Sequence, residues 1–202
     1  MTVAATTELE AINIMLAAIA EAPINSLTGT LPVDAVTARS TLAEFNKEVQ
    51  SEGWSFNTEI DVTLTRDGSN QISLPANVLR VDANIHQHPT IDPIQRGLKL
   101  YDRQNNKYEF EEDLICTVVY FRTFDEITEQ ARRYINIKAA RVFVDRLVGD
   151  QGLRTYTQED ETRARTILTE TDYANADHNL LRGDPSLTSI FDTYNPSSAL
   201  IR

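Results

Sequence analysis

The sequence predicts an α+β fold: a bundle of about four helices with an antiparallel β-sheet domain inserted between helices 2 and 3, plus an extended C-terminal arm. Three observations lead there. Apolar residues recur at helical spacing up to residue 56 and again from 123 to 179. Between 57 and 122 the apolar period falls to two. From 180 to 202 neither period holds, and Gly183, Pro185 and Pro196 interrupt the chain. The expected division is therefore a helical domain (1–56 with 123–179), a β domain (57–122) and an arm (180–202).

Each element has its own signal. Thr7 and Glu10 have capping-box spacing, and Leu9, Ile12, Leu16 and Ile19 follow on one face until Pro23 stops the helix. Asp34, just after Pro32, is the expected N-cap of the second helix, whose stripe is Ala38, Leu42, Phe45 and Val49. Gly53 takes the left-handed position past its end, and Trp54 folds back on the last turn. Ile60, Val62 and Leu64 alternate, as do Ile72 and Leu74 after the Asp67-Gly68 turn. Leu79 and Val81 mark a third strand; Leu98 to Tyr101 and Tyr108 to Phe110 flank a polar loop. Leu114 to Phe121 is the most apolar run and the expected central strand, whereas Ile85 to Arg96, with Pro89 and Pro93, reads as a long loop. A second capping box, Thr123 and Glu126, opens the third helix, with Ile127, Ala131, Ile135, Ala139, Val142 and Phe143 inward and Gly149 at its close. The fourth helix starts near Thr155 or Thr157. Its core face is Ala164, Ile167 and Leu168, and Glu159–Arg163 and Glu161–Arg165 are expected i,i+4 pairs.

Composition narrows the function. The formal net charge is −11, which excludes a general nucleic-acid binder working by phosphate neutralisation and disfavours docking on anionic membrane. The apolar stretch Ala11 to Ala20 is too short and too acidic in its flanks for an export signal or a membrane span, so the chain is expected to fold in the cytoplasm. Cys116 stands alone in an apolar run and reads as a buried, inert thiol.

Catalytic patterns are missing. There is no phosphate-cradling glycine loop and no G-x-S-x-G elbow, and no cofactor is expected. His86, His88 and Asp92 are the nearest approach to a metal site, but they sit in a proline-bearing loop, and the expected metal site is none. Glu111-Glu112-Asp113 and Glu159-Asp160-Glu161 supply carboxylates, yet neighbours in a charge run do not face each other across a sugar. Arg182-Gly183-Asp184 spells an adhesive tripeptide and reads more simply as a helix C-terminus with glycine past its end.

Taken in order, several blocks resemble a known family. They are Leu9-Glu10-Ala11-Ile12-Asn13 with Ile19-Ala20-Glu21-Ala22-Pro23-Ile24; Ala38-Arg39 and Leu42; Gln50-Ser51-Glu52-Gly53-Trp54-Ser55-Phe56-Asn57; and Tyr101-Asp102-Arg103. Phe124-Asp125-Glu126 through Tyr134-Ile135, Lys138-Ala139, Phe143 and Arg146 follows, then Glu159-Asp160-Glu161, Asp172-Tyr173 and Asn179-Leu180. The set resembles tail tubular protein A, the head-to-tail adaptor or gatekeeper of T7-like short-tailed bacteriophages. Ala20 stands where that family has glycine, a change tolerable inside a helix, and the match fades at 86–96 and beyond Asp184. The resemblance implies a virion protein that forms a homo-oligomeric, dodecameric ring. Its neighbours would be the portal protein, tail tubular protein B (the nozzle) and a tail fibre, with DNA passing through the lumen unbound. Gly53, Trp54, Phe56 and Asn57 are the motif residues.

The charge suits such a lumen, because acidic walls repel phosphate. Residues 125–149 alone are net basic, and that helix is expected either to face neighbouring subunits or to carry an ordinary salt-bridged outer face. The arm's Leu187, Ile190, Phe191, Tyr194, Leu200 and Ile201 are too many apolar groups for a solvated tail and are expected to dock on a partner. A tail-associated glycan (capsule polysaccharide) hydrolase, alone or as a second activity, is the competing class. It would need an aromatic-lined, sugar-sized cleft, and Trp54 is the only tryptophan.

Overall fold

The structure, a computed structural model, describes residues 5–147, 149 and 157–175. Its order is α1 (Glu8–Ala17), α2 (Val33–Ser51), β1 (Thr58–Leu64), β2 (Val78–Ala83), β3 (Pro93–Arg96), β4 (Lys99–Asp102), β5 (Leu114–Tyr120), a 3-10 turn (Phe124–Glu126), α3 (Glu129–Leu147) and α4 (Gln158–Asn175). The α+β class holds, with four helices and a small antiparallel sheet.

The Thr7–Glu10 capping box forms in full: the Thr7 hydroxyl accepts from the Glu10 N–H, and the Glu10 carboxylate accepts from the Thr7 N–H at 2.9 Å. The helix ends at Ala17, six residues before Pro23. Ala20 is therefore outside it, with φ +61°. Its N–H donates to the Ala17 carbonyl and that of Glu21 to Leu16, the two bonds of a Schellman motif. A left-handed residue costs an L side chain roughly 1 kcal/mol or more, so the position favours glycine. Ala20→Gly is expected to raise the unfolding free energy by about 1 kcal/mol; an unchanged denaturant midpoint would contradict this. Asn13 then holds the turn by exchanging two hydrogen bonds with the Ile24 backbone, at 2.8 and 3.0 Å.

Pro32, not Asp34, is the N-cap of α2, because its extended backbone (φ −55°, ψ 150°) enters the helix two positions earlier. Asp34 falls in the first turn, where its charge opposes the positive end of the helix dipole. The Thr123–Glu126 capping box also forms, but it closes a single 3-10 turn; Ile127 is extended, and α3 begins only at Glu129. Gly149 follows α3 with φ +67°. Thr157 starts α4 by exchanging bonds with Asp160. On α4, Ala164 and Leu168 are buried while Ile167 is 39% exposed, so the inward face is narrower than its apolar content implies.

α3 is the central helix. α1, α2 and α4 all pack on it, and Tyr134, Ile135, Ala139 and Phe143 are buried there. Three of its cations pair with its neighbours: Lys138 with Glu48 and Arg146 with Glu44 of α2, Arg141 with Glu161 of α4. Glu161 and Arg165 accordingly do not pair with each other, and Arg165 reaches Glu52 at 2.7 Å. These three pairs hold α2 and α4 to α3.

β5 is the middle strand of the sheet β1-β5-β2, both pairings antiparallel. Leu114, Cys116, Val118 and Val119 of this nearly continuous apolar run are buried, while Ile115, Thr117 and Tyr120 are half-buried. A register shift between Glu59 and Val62, with Asp61 at φ +56°, turns Ile60 out to 60% exposure. An inserted bulge residue reverses the side-chain parity upstream of it, which simple alternation does not anticipate. Ile72 and Leu74 are buried, but their segment and that of Tyr108 to Phe110 make only isolated bridges. The expected loop 85–96 ends in a strand, since Pro93–Arg96 pairs with Lys99–Asp102 in a hairpin. Pro93 sits at its first residue, where a missing N–H is harmless. Leu64, Ile72, Leu100, Phe110, Leu114 and Val118 form a second core under these strands.

Candidate functional site: the joint between helices and sheet

The residues singled out as a motif lie where α2 hands over to β1. Gly53 follows the α2 C-cap with φ +83°, and a Cβ there would come within 2.6 Å of the Arg80 guanidinium and 3.2 Å of Val119. The backbone angle favours glycine, and a Cβ would also oblige the Arg80 guanidinium to swing aside. Its N–H donates to the Gln50 carbonyl at 3.1 Å. The Val49 carbonyl accepts twice, from the Glu52 N–H at 3.2 Å and from the Trp54 indole N–H at 2.9 Å. Trp54 thereby closes the helix end and buries its rings against the helical core, on which Phe56 also packs.

Asn57 uses all its polar groups here. Its Oδ1 accepts from the Trp54 N–H; its Nδ2 donates to the carbonyls of Gln50 and Tyr120, all at 2.9 Å. The backbones of Asn57 and Tyr120 pair as well. The buried Gln50 completes the joint, accepting from the Arg122 N–H and donating to the Arg122 carbonyl, both at 2.8 Å. The last turn of α2 is thus hydrogen-bonded to both sides of the β5 C-terminus. α4 locks the outer side, where Asp172 accepts from the Ser55 N–H and hydroxyl at 2.9 and 2.6 Å. Arg165 bridges Glu52 and the Tyr134 hydroxyl.

Sequence reasoning assigned no role to Gln50 or Asp172. Gln50 did carry a signal: it is a polar residue beside the apolar stripe of α2, and a buried amide needs partners. Asp172 is separated from Ser55 by more than a hundred residues, and nothing local points to it.

Other candidate residues take structural partners. His88 is buried; its Nδ1 contacts Glu112 at 2.8 Å and its Nε2 accepts from the Ile115 N–H at 3.0 Å. Both ring nitrogens are thereby used. Asp92 binds Arg103 instead of a histidine. Among the described residues no group of three or more His, Cys, Asp or Glu is placed to hold a metal. Of the acidic runs, Glu111 pairs with Lys107, Asp113 with Arg66, Glu161 with Arg141, and Asp160 caps α4. Cys116 is fully buried, and burial with the nearby Asp82 charge pushes its thiol up to about 12, far from a reactive thiolate. No described helix is long and apolar enough to cross a membrane. Leu187, Ile190, Phe191, Tyr194, Leu200 and Ile201, like His178 and Arg182-Gly183-Asp184, lie outside the described residues.

Asp102 organises the β domain. Its buried carboxylate accepts from the N–H groups of Asp92, Gln104 and Asn105 and from the Asn105 side chain, the last at 2.6 Å. Burial raises its pKa, but the bonds from Asn105, Asp92 and Gln104 outweigh that and hold it below the ordinary value. A depressed folded-state pKa contributes stability that is present above the unfolded value of about 3.9 and is lost as pH falls through the folded one. The expected outcome is an acid limb in the unfolding free energy below about pH 4 that is shallower in Asp102→Asn, measured by urea melts from pH 2 to 7. Identical slopes in both proteins would remove Asp102 from the acid response.

The site therefore holds a mechanical joint: every polar group described above is satisfied within the chain, and the joint fixes the angle between bundle and sheet. Comparison with known proteins agrees with a structural role. The family model described as Tail tubular protein matches residues 9–178. Tail tubular protein A of Klebsiella phage KP34 is 32% identical over 166 residues, covering 81% of this chain and 86% of the relative. The match takes in the joint residues Gly53, Trp54, Phe56 and Asn57 together with Asp172. The chain belongs to the tail tubular protein family and is a structural component of a bacteriophage tail.

Proposed function

We propose that this protein is a subunit of the head-to-tail adaptor ring, joining the portal to the nozzle and continuing the channel through which DNA leaves the capsid. The observation that carries this reading is the satisfied joint of Gln50, Gly53, Trp54 and Asn57 in a chain of the tail tubular family. A ring wall under the pressure of a passing genome needs bundle and sheet held at one angle. The acidic balance is consistent with it: a net charge of −11 per chain, multiplied around a ring, repels phosphate and lets DNA slide. Twelve copies are proposed, with portal, tail tubular protein B and fibre as neighbours. The arm from residue 180 to 202 supplies the contact to the portal or an adjacent subunit.

The test is direct imaging of purified protein mixed with its portal. A ring capping the portal is expected. A chain truncated after Asn179 is expected to fold yet fail to attach to tail-less heads. A monomer that leaves the portal bare would overturn the adaptor reading. Sugar release from host capsule that a single Asp or Glu substitution abolishes would assign the chain a glycan-hydrolase activity, alone or beside the structural role.

A further inference from the structure

A cleft of about 950 Å³ lies between the C-terminal half of α2, the edge strand β2 and the β3–β4 hairpin. Val78, Leu79, Ile94 and Phe121 give it apolar walls, and Lys47 and Arg80 give it positive charge. None of the described residues lining it is acidic, which is notable in a chain of net charge −11. An apolar, cationic cleft beside a free strand edge suits an extended, β-prone segment carrying an acid.

The chain contains one such segment beyond the described residues. In Thr188-Ser189-Ile190-Phe191-Asp192-Thr193-Tyr194, β-branched and aromatic residues surround a single carboxylate. Its point of departure is close. α4 ends at Asn175, three residues after Asp172, which is hydrogen-bonded to Ser55 just past the α2 terminus, and Ser51 of that same terminus lines the cleft. Twelve intervening residues, 176–187, reach up to roughly 40 Å when extended. Tethering also makes the local concentration of the segment far exceed that of any free partner.

We propose that in the free subunit residues 188–194 lie in the cleft along β2 of their own chain, with Ile190, Phe191 and Tyr194 against its apolar walls and Asp192 beside Arg80. This occupancy needs no ring and no portal, so it stands or falls apart from the adaptor reading.

Cysteine trapping in the full chain tests it, because the sole native thiol, Cys116, is buried and unreactive. Ile94→Cys with Phe191→Cys is expected to form an intramolecular disulfide under mild oxidation. The rate should exceed that of a control pair, Ile60→Cys with Phe191→Cys, by at least about tenfold, since Ile60 is exposed on the opposite edge strand. Adding Arg80→Glu should slow trapping by a similar factor, and Asp192→Arg in that background should restore it. Equal rates for the two pairs would overturn the proposal. Cross-linking only between chains, lost on dilution, would also overturn it and assign the cleft to a second copy.

Discussion

Trp54→Ala is expected to lower the unfolding free energy by about 3–5 kcal/mol, the range for truncating a large buried aromatic. Trp54 is 8% exposed and packs in the helical core, so most of that loss is apolar burial and the cavity left behind. The remainder is the indole bond to the Val49 carbonyl, which keeps the Glu52 N–H as its other donor. Trp54→Phe separates the two contributions. Phenylalanine keeps most of the burial and loses the bond and one of the two rings, so it should cost about 1–2 kcal/mol. Urea unfolding followed by far-ultraviolet circular dichroism reads both variants. Similar losses for Ala and Phe would mean that the hydrogen bond, not the packing, carries the joint. An unchanged midpoint in Trp54→Ala would show that the joint is not a folding element.

Arg132→Ala is the second large effect. Arg132 is 9% exposed, and its guanidinium donates to three backbone carbonyls: Ile127, Thr6 and Asp125. It thus fastens the segment before α1 and the 3-10 turn to the start of α3. Hydrogen bonds from a charged donor contribute about 1.5–3 kcal/mol each, and buried carbonyls left without partners cost further. A loss of about 3–5 kcal/mol follows, since part of the site reopens to water. For a chain of this length that is a fall in melting temperature of about 10 °C. Arg132→Lys should recover little, because an ammonium lacks the planar fork that addresses three carbonyls in different directions. Calorimetry of the two variants decides: full recovery by lysine would reduce the residue to a point charge.

Much of the fold is legible in the sequence because its signals are local. A threonine and a glutamate three residues apart satisfy each other whatever lies beyond them, so both capping boxes formed as read. The run from Leu114 to Tyr120 is the most apolar in the β segment, and it takes the middle of the sheet, where both of its edges are paired. Gly53 and Trp54 announce a helix end by their order alone. What the second capping box could not announce is that Ile127 would be extended and split the helix after one turn. Ala20 likewise looks like a helical residue until the chain is seen to leave α1 through it at positive φ.

The joint itself was only half readable. The motif residues stand in one string, but the partners that give them their purpose are remote: Tyr120 and Arg122 across the sheet, Asp172 and Arg165 on α4. Periodicity records which face of each element shuns water, and that determines class, element order and core. It does not record which backbone carbonyls and amides will be stranded once those faces meet. Gln50, Asn57, Asp102 and Arg132 each answer a backbone group brought near by the fold: Arg122, Tyr120, Asp92 and Thr6 respectively. Their roles, the bulge at Asp61 and the pairing of Pro93–Arg96 with Lys99–Asp102 were decided by the tertiary structure, because a buried polar group must find its partner wherever the fold brings one.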